Sequence, residues 1–180
     1  MSAEHVGELK KWVAELVRHG GGDEGLRLTR VADIVSKNFA VESHEVAVMV
    51  ITSDDRFLRF VLPPMLREVG QIPLTSTNSL AARTVRERRP EVINHFAVVP
   101  HSSVFEAVPI ADDQRSEAIQ KIMSAPIIHE RKVWGVIQVS RKGRSAGEAG
   151  PDFNHTHLRE LKTMGDALAP LIAQSLVEVK

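Results

Sequence analysis

The chain has 180 residues, room for one domain of about 150 with some trimmings. Hydrophobic residues make up 43% of it, which excludes disordered and collagen-like classes, and 23 Lys and Arg against 23 Asp and Glu leave no net field to draw in a polyanion, so neither nucleic acid nor an anionic membrane is an expected partner. Cysteine is absent, which rules out disulfides, thiolate metal sites, iron–sulfur clusters, Cys nucleophiles and any sulfur-tethered cofactor.

The chain opens with a helix, because Val6, Leu9, Trp12, Val13, Leu16 and Val17 recur at three- and four-residue steps. Gly20, Gly21 and Gly22 end it. Asp23 can cap a second helix with the stripe Leu28, Val31, Ile34, Val35 and Phe39. This divides the chain into an N-terminal helix and glycine hinge, 1–22, and a domain, 23–180. After Glu45 the period changes. Val46 to Ile51 is an apolar, β-branched run expected to be a strand covered on both faces, and Phe57 to Leu62 returns beside it after the turn Thr52-Ser53-Asp54-Asp55. Pro63-Pro64 stops the hairpin.

Residues 78–89 read as a short helix capped by Asn78 or Ser79, followed by a brief strand at Val92-Ile93. Residues 95–111 hold two prolines and no sustained period, so a long covering loop is expected. Two apolar runs, 122–128 and 133–140, form a second hairpin about His129-Glu130-Arg131-Lys132. Residues 143–151 are expected to be a flexible connection. A last helix starts near Asn154 with the stripe Leu158, Leu161, Met164, Leu168, Leu171, Ile172 and Leu176. Leu158, Gly165, Ile172 and Val179 are seven apart, as are Leu161, Leu168 and Ser175, a spacing suited to packing on another helix. Pro170 should bend it.

No segment has the roughly 18 apolar residues of a membrane span, and the first residues lack a signal-peptide core, so a soluble cytoplasmic protein is expected. Several strings mimic functional motifs. Residues 20–25 match G-x-G-x-x-G, but they follow a helix and carry Asp23 and Glu24, which repel phosphate. Residues 143–147 match G-x-S-x-G, but four residues intervene before any helix, whereas a nucleophile elbow turns directly into one. His155 and His157, two apart on a helix, point to different sides and make a poor metal pair. Arg83, Arg86, Arg88 and Arg89 suit the negative end of a helix dipole, and with 2 Trp, 6 Phe and no Tyr the chain lacks stacking partners for a nucleic acid. These readings assign no catalytic residue and no metal.

The element order fits an α+β fold: one antiparallel sheet of five or six strands, with the N-terminal helix pair and the long last helix on one face and the irregular middle on the other. Ser124-Ala125-Pro126-Ile127-Ile128 and Val133-Trp134-Gly135-Val136-Ile137-Gln138-Val139 resemble the closing hairpin of GAF domains. Asp152-Phe153-Asn154 with the helix through Leu161 and Ala167 resembles that family's final helix, and Ser79-Leu80-Ala81-Ala82 with Arg89-Pro90-Glu91-Val92-Ile93-Asn94 its middle helix and short strand. The resemblance spans about residues 24–178 and implies a cavity between the sheet near Gly135 and residues 94–115. There Asn94, His95, His101 and Arg115 offer polar groups, and Phe96 and Phe105 can stack on a ligand; the alternative is that this segment packs its own apolar residues and leaves no cavity. The chain departs from the functional subtypes. No Cys can hold a bilin or reduce methionine sulfoxide, the Asn-Lys-Phe-Asp-Glu set of cyclic-nucleotide binders is not in order, and no helix-turn-helix, kinase, cyclase or ATPase segment is expected.

The resemblance thus implies a stand-alone sensory or regulatory module that binds an unknown small molecule and signals through its terminal helices. A homodimer across those helices is expected. The alternative is a ligand-free interaction or dimerisation scaffold, and an enzyme has the least support.

Overall fold

A computed structural model of the chain describes residues 2–20, 24–100 and 117–178. Helix α1 (Ser2–His19) buries Leu9 and Val13 and packs Val6, Trp12 and Leu16 part-way against the same core, while Val17 is left exposed. It stops where Gly20 enters the left-handed region at φ 59° and returns its N–H to the Leu16 carbonyl. Helix α2 (Glu24–Phe39) buries Val31, Ile34, Val35 and Phe39, the stripe expected from its spacing. Asp23, the expected cap, lies outside the described residues.

The strands are β1 (Val46–Ile51), β2 (Phe57–Leu62), β3 (Gln71–Pro73), β4 (Glu91–Ile93), β5 (Ile119–His129) and β6 (Lys132–Lys142). They form one antiparallel sheet in the order β3-β2-β1-β6-β5-β4. Every residue of β1 is buried because the sheet is covered on both faces. Val46, Val48 and Val50 face a core shared with α1, α2 and the last helix, α4 (His155–Glu178). Ala47, Met49 and Ile51 face a second core with Leu58, Phe60, Leu66, Phe96 and helix α3 (Leu80–Glu87). The helix layer and the irregular layer thus lie on opposite faces, as the element order predicts.

The second hairpin is longer than its apolar runs suggest, since Lys121, Arg141 and Lys142 continue the strands and are themselves buried. Its loop is two residues, Glu130 and Arg131, at φ 49° and 67°. Two positive φ values match a type I′ turn, which the strand twist favours and Asn-Gly fits best. Because a left-handed residue costs about 1–2 kcal/mol when it carries an ordinary side chain, the double substitution Glu130→Asn with Arg131→Gly should raise stability by roughly 1 kcal/mol, read as a higher urea midpoint.

Three details depart from the sequence expectations. Strand β3 has no sequence signal, being three residues with Pro73 at the open edge. Helix α3 is shorter than 78–89: Ser79 Oγ accepts the Ala82 N–H at 3.1 Å, and Arg88 closes the helix in the left-handed region at φ 54°. Residues 143–151 form a bonded turn, with Ala149 N–H on Ser145 O at 3.0 Å and Glu148 N–H on Ser145 Oγ at 3.2 Å. Along α4, both seven-residue rows turn inward where their side chains are described, and Leu158, Leu161, Gly165, Leu168 and Ile172 are buried on this chain's own sheet side. Alanine's Cβ at Gly165 would lie 3.2 Å from Ile137 Cγ2. The same helix also packs against α1, whose Leu9 and Val13 share this core, so the spacing serves both the sheet and a neighbouring helix.

Candidate functional site

The face opposite the three long helices carries the candidate site, and α3 is its lid. Arg83 holds the lid to β4 through a bidentate pair with Glu91, at 2.9–3.1 Å. Arg86 reaches the carbonyls of Leu74 and Ser76, at 2.5 and 2.9 Å, and Arg88 that of Arg131 at 2.5 Å. Only Arg89 binds within its own helix end, to Glu87. Most of the arginine cluster therefore stitches α3 to its neighbours.

Beneath α3 runs a buried line of polar side chains. Gln138 Nε2 donates to Ser124 Oγ at 3.1 Å, and the Ser124 and Thr84 hydroxyls meet at 2.7 Å. Thr84 also donates to the Leu80 carbonyl at 2.8 Å, so the Ser124 hydroxyl must donate to Thr84. Ser124 and Gln138 are register partners on β5 and β6 and share a face. Their sequence signal was a polar residue inside each of two otherwise apolar runs, a signal that went unused. Around them the face is filled by Met49, Phe60, Leu80, Ile93, Phe96, Ile122 and Val136.

The six residues singled out for a ligand fall into two groups. His101, Phe105 and Arg115 lie outside the described residues. Phe96 is buried in the irregular-layer core and His95 is exposed. Asn94 is engaged elsewhere: its Nδ2 donates to the Phe153 carbonyl and its Oδ1 accepts the Phe153 N–H, both at 2.9 Å. Gly135 does permit a close approach, but by backbone. A Cβ there would stand 2.1 Å from Met49 O of β1.

Phe153 opens a tightly held corner just before α4. Arg141 stacks its guanidinium 4.5 Å from the Phe153 ring and donates to Pro151 O at 2.8 Å and Phe39 O at 2.9 Å. Lys121, buried beside it, bonds Gly150 O at 2.5 Å and Asp152 at 2.8 Å. Asn154 caps α4 by accepting the His157 N–H at 2.9 Å, and His157 Nδ1 accepts the Asn154 N–H at 3.2 Å. His157 thus serves as a capping residue with its ring edge-on to Phe39 and Phe153. Among the described residues, no three His, Asp or Glu side chains gather as a metal set.

At the end of β6, the buried Glu45 carboxylate accepts the backbone N–H groups of Glu42 and Lys142, both at 2.9 Å. Its neighbour His44 is half-buried, and burial, with a smaller contribution from Lys142, lowers the imidazole pKa from 6.5 against the opposing pull of Glu45 and Glu42. The unfolded chain therefore takes up the proton first. Stability from the neutral ring is complete above about pH 6.5 and is lost as the pH falls through the lower folded value. The urea midpoint should fall between about pH 7 and pH 5, and His44→Gln should flatten that slope; an unchanged slope would assign the effect to other groups.

A concavity of about 430 Å³ lies on the outer side of the helix layer, between α1 and α4, lined by Ala3, Val6, Gly7, Lys10, Arg159 and Thr163 among others. No helix among the described residues is long and apolar enough to cross a membrane.

A sequence profile described as GAF domain matches residues 28–173. No curated protein matches the chain. Among solved structures, the GAF domain of an Acinetobacter phosphoenolpyruvate-protein phosphotransferase aligns with a TM-score of 0.68 at 16% identity, covering 98% of this chain and 95% of that one. The GAF domain of the Coxiella burnetii phosphoenolpyruvate-protein phosphotransferase gives 0.67 at 12% identity, covering 99% of each. A free methionine-R-sulfoxide reductase from Neisseria meningitidis, solved with its substrate, gives 0.65 at 14% identity and covers 100% and 92%. At these identities the structural likeness speaks for the fold, while the profile spans most of the sequence. The chain belongs to the GAF domain family.

Proposed function

We propose that this GAF domain is a cytoplasmic sensory or regulatory module that binds a small molecule between the sheet and residues 94–115 and reports it through the packing of its terminal helices. The observation that supports this reading most is the buried line Gln138–Ser124–Thr84 under α3. Hydroxyls and an amide are costly to bury for packing alone, and here they lie on the sheet face away from the helices that would carry the signal. A ligand that favours one arrangement of the covering segment shifts the population of that arrangement, and with it whatever that arrangement holds in place. Signalling without catalysis is supported by the absence of cysteine and by the unsuitable context of both motif-like glycine strings. A second copy of the chain is the proposed partner for the helix layer, where the α1–α4 concavity offers the small residues Ala3 and Gly7 for close helix approach.

Two measurements test this. A thermal-shift panel of nucleotides, amino acids and organic acids should contain at least one compound that raises the melting temperature by binding only the folded state. Sedimentation should show a dimer, and a monomer at high micromolar concentration would overturn the second-copy proposal. The apolar filling of the same face, Met49 and Phe60 included, favours the competing reading of a ligand-free scaffold. That reading gains if the whole panel leaves the melting temperature unchanged.

A further inference from the structure

We propose that the Asn94–Phe153 clasp is the link through which the described start of the covering segment, residues 94–100, acts on helix α4. This rests on the reading that α4 reports the state of the cover, and it names the element that connects them. Asn94 stands between β4 and the cover. One side chain closes two bonds to a single backbone residue 59 positions away, each at 2.9 Å. From Phe153 the contacts continue without a gap. Its ring lies edge-on to His157 at 6.1 Å between centroids, and His157 and Asn154 cap each other at the start of α4. Arg141 fixes the other side of that ring, and Lys121 and Arg141 hold the preceding backbone at Gly150 and Pro151. With its neighbours pinned to β5 and β6, Phe153 cannot shift unless its partner shifts, and that partner sits at the root of the cover. The clasp is thus a short path between Phe96, in the core on the α3 face of the sheet, and α4, in the core on the other.

The test is a double-mutant cycle read by native-state hydrogen exchange on the full chain, with no ligand required. Phe96→Leu disturbs the cover, and the readout is exchange at the amides of His157 and Leu158, neither of which bonds Asn94. In the wild-type background, Phe96→Leu should speed these amides by about fivefold or more, the lower end of ordinary coupling between sites. In the Asn94→Ala background the same substitution should change them by less than about twofold. Should Asn94→Ala fail to fold, Asn94→Asp keeps the acceptor for the Phe153 N–H but sets a carboxylate oxygen against its carbonyl, and a reduced response is again expected. Asn154→Ala, which removes the cap and leaves the clasp intact, should raise exchange at both amides yet preserve the response to Phe96→Leu. An equal response with and without Asn94 would route the coupling through the sheet and overturn the proposal. A silent thermal-shift panel beside an intact cycle would remove the ligand and leave the link standing.

Discussion

Gly135→Ala should destabilise the protein by about 3 kcal/mol or more, the upper end of what overpacking costs. The added Cβ would stand 2.1 Å from Met49 O, 3.1 Å from Met49 C and 3.2 Å from Val50 Cα. All three are backbone atoms of β1, which is itself paired with β2 on its other edge, so relief for Gly135 means moving a central strand out of two ladders. Gly135 lies beside a bulge in β6. Gly135 pairs with Ile127 and Val133 with Ile128, which leaves Trp134 as the extra residue. Gly165→Ala is the control. Its nearest neighbour is the far end of a side chain, Ile137 Cγ2 at 3.2 Å, which can give by a few tenths of an ångström. A helix interior also favours Ala over Gly by up to about 1 kcal/mol, so Gly165→Ala should change stability by no more than roughly that amount. Denaturant unfolding of the two variants decides the point, and a Gly135→Ala protein as stable as the wild type would refute the backbone contact.

This contrast also marks what the residues disclose unaided. A glycine between bulky strand neighbours predicts a close approach, yet whether the approaching group is a ligand or another strand depends on a pairing 85 positions distant, Val50 with Gly135. Elements governed by local periodicity were legible. The α1 and α2 stripes, the doubly covered β1 run and the two hairpins follow from spacing and β-branching, and their order gave the two-layer arrangement. Ends governed by single side chains were not. Lys121, Arg141 and Lys142 read as strand exits because charges belong at surfaces, whereas the fold buries them by giving Lys121 and Arg141 carbonyl partners in the turn before α4. The bonded turn at 143–151 was similarly hidden, because its order comes from Ser145 and Glu148 rather than from any apolar pattern.

For the candidate site, the sequence singled out Asn94, whose amide is taken up by Phe153, and Phe96, which lies in the irregular-layer core, and did not single out Thr84, Ser124 and Gln138. Ser124 and Gln138 are isolated polar residues within apolar runs, a pattern that equally suits an exposed strand face. Only the register that sets them side by side under α3 distinguishes the two. Asn94 carried the opposite ambiguity. An amide beside a loop reads as a ligand contact until Phe153, remote in sequence, takes up its oxygen and one of its N–H groups.

Substitution of Arg141 should separate charge from packing at the corner that joins α2, β6 and α4. Its guanidinium supplies the partners of two carbonyls, Phe39 O at the end of α2 and Pro151 O before α4, and covers the Phe153 ring. Burial lowers the guanidinium pKa, and Glu45 and Asp152 oppose that shift. A carbonyl stranded without a donor costs about 1–3 kcal/mol, so Arg141→Met, which keeps the apolar stem, should lose about 2–4 kcal/mol. Arg141→Lys brings one ammonium to a place built for a fork and should fall between Met and wild type. Arg141→Ala also empties the space over the ring and should be the least stable of the three. If Met matched the wild type, water would have to reach both carbonyls. In that case the first turn of α4 would keep its protection in all three variants. If the corner is instead held by those two bonds, protection at His157 and Leu158 should decline in the order Lys, Met, Ala, in step with the loss of global stability.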